Sequence, residues 1–441
     1  MVKLPVSPYL KGGNLMVQRL AGNASNSNVQ LPYGEEMIQA AIPGGRIMDV
    51  LRPRPLPEVA DFNREVINRL RSPIGSGPLN TIAQGAKRTA IIISDHTRCV
   101  PSGLILPILI NELESAGIGR NTITVVIGGG NHRAVTEKEK QVLLGPLYGN
   151  VDSCHCSDRG YVLKGVTKRG TPVELAKPVA ESDLTLAVGS IEMHRMAGFS
   201  GGAKAAAVGV ASYNALEHNH RLSALQENRP GDLEGNIIRQ DMEEFARIAG
   251  LGFIVNVVTN EQRKVAAVVA GDPVAAHRAG CTVAERLYSV KVREPADIVI
   301  VSPGGIPRDD TVYQAQKALS NALMAAEEGA VIIVTAKCPE GYGDKNFRQW
   351  MENAATPEDI MTRARHEFVL GGHKAAVIAN AAARTRIFWV SDMDPADVRS
   401  LFFEPYSTLQ DAVEAAFRVR GDDARVLVMP WGGLTVPCVE H

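Results

Sequence analysis

The sequence predicts an α/β fold of two domains with mainly parallel sheets. Three observations carry that prediction. Short, uninterrupted apolar runs recur along the chain, each bounded by turn residues, as strands buried on both faces require. Ala- and Leu-rich stretches with helical spacing lie between many of them. The two kinds of segment alternate, and strand–helix–strand is the signature of a parallel sheet covered by helices.

The predicted strands are Thr89–Ser94, Ile123–Ile127, Leu184–Val188, Phe253–Val258, Asp297–Val301, Ala330–Thr335, Ile387–Val390 and Val426–Met429. The clearest intervening helices are Ser102–Ala116, Pro273–Leu287 and Thr311–Glu328. The residues before about position 70 are less regular and read as a β-rich portion. Tyr288-Ser-Val-Lys-Val-Arg-Glu-Pro295 interrupts the alternation after a long helix, and Ala296–Gly305 restarts it. The expected organisation is therefore an N-terminal domain over 1–290, joined by 420–441, and a C-terminal α/β domain over 295–405.

Composition narrows the function. With 45% hydrophobic and 22% charged residues, the chain is ordinary for a globular protein. A net charge of -1 gives no electrostatic reason to bind nucleic acid or an anionic membrane, and 5% aromatics argue against base-stacking platforms. Six scattered cysteines are too few for a disulfide scaffold and fit a reducing, cytoplasmic setting. No apolar run reaches the length of a membrane span, and the first residues carry no signal-peptide pattern.

Polar clusters follow three of the predicted strands. Ser94-Asp95-His96-Thr97-Arg98 closes the first, where an arginine can hold a carboxylate through two parallel hydrogen bonds. The competing reading pairs Asp95 with Arg98 or makes them helix caps. Gly128-Gly-Gly-Asn-His132-Arg133 follows the second, with glycines that admit a ligand and a histidine able to exchange protons near neutral pH.

The third cluster holds the most chemistry: His194, the Ser200-Gly201-Gly202 turn, Lys204, and then Glu217-His218-Asn219-His220. Histidines at neighbouring strand ends could flank one carbon, as a racemase needs, and the Gly-Gly amides could hold phosphate. His218 and His220 are two apart, so only one of them is expected to reach a given site. Farther along, Tyr313-Gln314-Ala-Gln316-Lys317 opens a helix with Gln314 and Lys317 on one face, suited to an anion. His373-Lys374 is a weaker candidate of the same kind, and Cys154-His155-Cys156 suits no common metal site.

Together these clusters resemble the nickel-pincer-dependent lactate racemase family of 2-hydroxyacid racemases and epimerases. The resemblance rests on His194, Ser200-Gly-Gly-Ala-Lys204 and His220 in order, with Asp-x-Thr-Arg at 95–98, Gly130-x-His132-Arg133 and Tyr313-Gln314-x-x-Lys317. It runs from about Asp95 to the Met429-Pro-Trp-Gly-Gly tail.

It implies a nickel ion in a pyridinium-3,5-bisthiocarboxylic acid mononucleotide, supplied by cofactor-synthesis proteins. Lys204 would be the tether, His220 the protein ligand to nickel, and Asp95 and Ser200–Gly202 the cofactor contacts. His132 and His194 would exchange the hydroxyl proton of a small 2-hydroxy acid while hydride leaves and returns. Arg98, Gln314, Lys317 and Tyr313 would bind the substrate, in a cleft between the domains.

The run after Lys204 lacks the proline common in the family, and the hydroxy acid itself stays open. Lactate, a larger or dicarboxylic acid and a sugar acid are all compatible. Two alternatives also stay open: a zinc or iron enzyme using the histidines as direct ligands, and a non-catalytic cofactor-binding protein.

Overall fold

The structure is a computed structural model that describes residues 17–19, 26–130, 132–226 and 228–439. The chain divides into two compact units. Pro55–Leu287 belongs to the first, and the described residues up to Arg54 join Tyr288–His441 in the second. None of the described helices is long and apolar enough to cross a membrane.

The second unit contains a hairpin of β1 (Asn26–Tyr33) and β2 (Glu36–Pro43), with Val17–Arg19 paired antiparallel on the outer side of β1. The turn is two residues long, and Gly34 takes the positive φ of +59° that such turns demand. Val29, Leu31, Ala40 and Ile42 face one apolar cluster, so alternation along these strands fixes the register. A short β3 (Ile47–Val50) follows.

The first unit is built on a six-stranded sheet of β4 (Thr89–Ser94), β5 (Ile123–Gly128), β6 (Asp152–His155), β7 (Leu184–Ser190), β8 (Leu251–Thr259) and β9 (Val265–Gly271). Across the sheet the order is β9-β8-β7-β4-β5-β6, all parallel except the edge strand β9. The central strands are buried on both faces, and Ile91, Ile93, Leu186 and Val188 fill one core. Helix α1 (Ser102–Ser115) packs there through Ile105, Leu106, Leu109, Ile110 and Leu113. From β4 the chain moves outward to β5 and β6, then returns to place β7 on the other side of β4. That reversal is a topological switch point, where open α/β sheets hold ligands beyond the strands' carboxyl ends.

The first unit is completed by α2 (Tyr213–Arg221), α3 (Ile237–Ala249) and α4 (Ala275–Tyr288), the last running into the boundary. The second unit's sheet contains β10 (Ala296–Val301), β11 (Ala326–Thr335), β12 (Arg386–Val390), β13 (Glu404–Tyr406) and β14 (Val426–Met429). Its order is β13-β12-β11-β10-β14-β3, parallel throughout.

Two expectations are corrected here. The tail strand β14 does not return to the first domain, because it pairs between β10 and β3 in the second sheet, and β3 carries the N-terminal residues there too. The helix expected over Thr311–Glu328 stops earlier, as α5 (Val312–Leu323). Its last residues begin β11, where Ala326 pairs with Ala296 of β10 and the polar Glu327 and Glu328 fall in the irregular stretch before the pairing resumes at Val331.

Candidate active site

The chemistry of the first unit collects at its switch point. Asp95 and Arg98 follow β4, His132 follows β5, and His194 follows β7, three neighbouring strands. Close backbone approach brings these segments together. A Cβ on Gly128 would stand 3.0 Å from the backbone of Gly209, and the Gly130 amide donates to the Gly209 carbonyl at 3.2 Å. Only glycine leaves room for the end of β5 to press on Gly209, which ends the short helical segment that follows Lys204.

Asp95 does not pair with Arg98. Its Oδ2 accepts from His132 Nδ1 at 2.6 Å, and its Oδ1 accepts from the Thr97 hydroxyl at 2.6 Å and the Thr97 amide at 3.1 Å. Asp95 is 3% exposed. Burial favours its neutral form, but the hydrogen bonds and charge of His132, the Thr97 hydroxyl and the charge of Arg98 hold the carboxyl well below the usual range. An ionised acceptor on Nδ1 fixes the His132 tautomer and leaves Nε2 with its lone pair. The half-buried Arg98 guanidinium has no hydrogen-bond partner among the described residues, so its donors are available to an anion.

His194 lies in a short strand paired with Gly198–Phe199. Its Nδ1 accepts from the amides of Met196 and Ala197, both at 3.2 Å, and its Nε2 sits 2.9 Å from Lys204 Nζ. The Ser200–Gly202 turn is fastened inward. Ser200 Oγ donates to the Ser190 carbonyl and accepts from the Glu192 amide, each at 2.9 Å, and the Gly202 amide donates to Asn256 Oδ1 at 2.8 Å. The Ser200 hydroxyl and the Gly202 amide, two of the groups expected to contact a cofactor phosphate, therefore already make hydrogen bonds inside the protein.

Three buried side chains that sequence reasoning missed hold this turn: Asn256 on β8, Arg239 on α3 and His277 on α4. Arg239 is fully buried and donates from Nε to the Ala197 carbonyl at 3.1 Å, from Nη1 to Gly201 at 3.4 Å, and from Nη2 to Phe199. Burial lowers its guanidinium to about 10, so it stays charged at neutral pH. His277 Nε2 donates to the Ser200 carbonyl at 2.8 Å, and burial with the charge of Arg239 pushes the imidazole down to about 3, leaving it neutral. The Arg and His were ordinary helix residues in the sequence, and their only signal was polarity inside an apolar periodicity.

Gly202 has φ +58°, and a Cβ there would meet the His277 ring at 2.7 Å. Gly202→Ala is expected to destabilise the protein by about 2 kcal/mol, from the left-handed backbone and the overpacking together. Urea denaturation of the two proteins measures it, and equal midpoints would show that the turn gives way freely.

His220 is on α2, whose N-cap Ser212 accepts from the Ala215 amide at 3.1 Å. His220 is 9% exposed, whereas His218 is exposed and its Nδ1 lies 2.9 Å from the Asn214 carbonyl of its own helix. The neighbouring Asn219 donates to Asp241 Oδ2 at 2.8 Å, and Asp241 also accepts from Thr167 at 2.5 Å and Thr171 at 2.7 Å. That buried network ties the last turn of α2 to α3.

In the second unit, Thr311 caps α5 by accepting from the Gln314 amide at 3.2 Å. Lys317 Nζ donates to Gln314 Oε1 at 3.0 Å, so the two act from one helix face. Tyr313 packs edge-on against Phe347 at 6.0 Å, and Lys374 Nζ lies 5.6 Å above its ring. Lys374 opens α6 (Gly372–Arg384), so the fold brings a residue of the weaker candidate pair to the stronger one.

Known proteins resemble this chain in sequence and fold. The model of the lactate racemase N-terminal domain matches residues 33–231, and that of the lactate racemase C-terminal domain matches residues 291–436. The chain belongs to the lactate racemase family. It is 33% identical over 419 residues to the lactate racemase of Thermoanaerobacterium thermosaccharolyticum, covering 92% of this chain and 98% of that protein. It is likewise 33% identical over 421 residues to the lactate racemase of Lactiplantibacillus plantarum, covering 92% and 98%.

The solved apoprotein of the Thermoanaerobacterium lactate racemase superposes with a TM-score of 0.85 at 32% identity, covering 93% of this chain and all of that one. A Thermotoga maritima protein shares the fold, with a TM-score of 0.66 at 15% identity. The family resemblance read from the motifs therefore holds, as does the mainly parallel, two-domain α/β architecture. Membership in the lactate racemase family extends over nearly the whole chain, including the N-terminal residues that the motifs did not reach.

Proposed function

We propose that this protein racemises or epimerises a small 2-hydroxy acid, with lactate the first candidate from its relatives. The observation that carries the reading is the grouping of a tautomer-fixed histidine, a second histidine and a guanidinium at the ends of three neighbouring strands around the switch point. Arg98 binds the substrate carboxylate through its parallel donors. His132 accepts the hydroxyl proton at Nε2, and Asp95 stabilises the imidazolium that forms. His194 is the second acid–base group. In the arrangement described it presents Nε2–H, so it begins as a proton donor. It becomes a base only when the Met196 and Ala197 amides release Nδ1. Gln314, Lys317 and Tyr313 are proposed as further substrate-binding residues.

The residues also suit a nickel-pincer nucleotide. Lys204 offers a half-buried amine for attachment, and His220 offers a buried imidazole, a ligand that suits nickel. Asp95 acts on His132 and is proposed to reach such a cofactor only through it. When bound, the cofactor supplies the acceptor for the substrate's α-hydrogen. A zinc or iron site made of side chains alone has less support, because no three His, Cys, Asp or Glu side chains converge as metal ligands among the described residues.

The test is a panel of 2-hydroxy acids, lactate included, offered as single enantiomers carrying deuterium at the α-carbon, to protein made together with the cofactor-synthesis machinery. Racemised product that retains the label supports the reading. Label lost to solvent, or no turnover of any member by nickel-loaded protein, overturns it.

A further inference from the structure

At the amino end of the first unit's sheet, we infer a second binding site, for a small hydroxylated monocarboxylic acid. A cavity of about 340 Å³ opens there, with Arg88, Arg159, Lys177 and Glu181 in its wall. That volume falls in the lower part of the range of small-molecule sites, ~300–1,000 Å³. Thr89 lines the cavity and opens β4, and Asp95 follows the other end of that strand, about 20 Å away. The cavity shares no residue with the candidate active site, and the inference does not rest on the function proposed above.

The charges in the wall do not balance. Arg159 donates from Nη1 to Asp152 Oδ2 at 2.8 Å and from Nη2 to Asp152 Oδ1 at 2.5 Å, so its charge is matched. Arg88 and Lys177 instead share one carboxylate, that of Glu181, at 3.8 and 3.9 Å. Both separations are beyond hydrogen-bond reach. Lys87 and Asp183 lie next to the wall in sequence and cancel in charge, and Asp183 is turned to the amides of Lys87 and Arg88, at 3.1 and 2.9 Å. One positive charge is left over, and a monoanion neutralises it. A dianion such as a phosphate ester would exceed it and be repelled by Glu181.

The hydrogen-bonding groups specify the rest. Arg88 offers parallel donors that match one carboxylate, with Lys177 as a point charge beside it. Glu181 accepts no side-chain hydrogen bond among the described residues, and an ionised carboxylate can only accept, so a ligand hydroxyl completes it. The exposed Asn121 adds an amide donor and acceptor. Thr89 is 2% exposed and its hydroxyl has no partner among the described residues, a gap that protein interiors rarely leave. The hydroxyls of Thr122, Thr124 and Ser182 are spent on the Gly119 carbonyl at 2.7 Å, Asp152 at 2.9 Å and the Val179 carbonyl at 2.8 Å. Pro178 is the one apolar side chain among the described residues of the wall, so a polar, hydroxylated body fits and a hydrocarbon one does not.

The experiment is calorimetric titration of the full-length protein with shikimate, a ring monocarboxylic acid with three hydroxyls and none at the 2-position. Saturable binding in the millimolar range or tighter is expected. Cyclohex-1-ene-1-carboxylate has the same ring and charge without the hydroxyls, and is expected to bind at least about tenfold more weakly.

The double variant Arg88→Gln, Lys177→Gln is expected to weaken shikimate at least about tenfold. These side chains are 63% and 53% exposed, so the fold tolerates both changes. Arg98→Gln, at the other end of the sheet, is expected to leave the affinity unchanged and so to separate this cavity from the candidate active site. No saturation by about 50 mM, equal affinity in the double variant, or loss of binding in Arg98→Gln overturns the site. Equal affinity for the two acids overturns the hydroxylated ligand class. Because no turnover is measured, failure here is separate from failure of the function proposed above.

Discussion

Asp95→Asn is expected to lower turnover by about a thousandfold while leaving the fold in place. The reason lies in which atoms the carboxylate serves. Oδ1 accepts from both the amide and the hydroxyl of Thr97, and Oδ2 accepts from His132 Nδ1. An asparagine keeps its carbonyl oxygen against the two Thr97 donors, so its NH2 turns to His132. Nδ1 must then accept, the ring proton moves to Nε2, and the lone pair that takes the substrate's proton is gone. Steady-state racemisation measures the effect, and a loss of less than about tenfold would show that Asp95 does not set the tautomer.

The same carboxylate predicts a pH dependence of stability. Its folded value is depressed, so its contribution is present above the unfolded value of ~3.9 and is lost as the pH falls through the folded one. The stability difference between wild type and Asp95→Asn in urea is therefore expected to be full at pH 7 and to shrink once the pH drops below about 4. A difference constant from pH 7 to pH 3 would count against an ionised Asp95 in the native state.

Arg239→Met is expected to cost about 3 kcal/mol, the largest stability effect of a single site here. Methionine fills much of the volume but leaves the carbonyls of Ala197, Phe199 and Gly201 without their donor in a site closed to water. Those carbonyls shape the segment between His194 and Lys204. Hydrogen exchange at residues 196–204 is expected to speed up more than at the distant strands of the same sheet. An unchanged urea midpoint together with unchanged exchange would show that the turn holds its shape without the guanidinium.

Much of this was legible in the chain, for identifiable reasons. The run Thr89–Ser94 matches β4 to the residue because its interior, Ala90–Ile93, is apolar throughout and buried on both faces. His132 and His194 stood out because each follows such a strand, and carboxyl ends of parallel strands are where side chains are free of the sheet's packing. The tail strand was misplaced because Val426–Met429 is apolar on both faces and would fit either sheet. Nothing local distinguishes β10 and β3 as its neighbours.

The division of labour follows from the range of the forces involved. Strands, helices and glycine turns are written in neighbouring residues, since periodicity and φ are local properties, so the sequence by itself determined the α/β class and the family. Proton positions are not local. That Asp95 serves His132 and not Arg98, that Gly202 donates inward to Asn256, and that Lys204 rests against His194 were decided by tertiary structure. A hydrogen bond acts only within about 3 Å, and only the folded chain brings residues 37 or 54 positions apart within that reach. The Lys204-bearing turn is legible as a motif. Its chemistry depends on partners that no spacing in the sequence reveals.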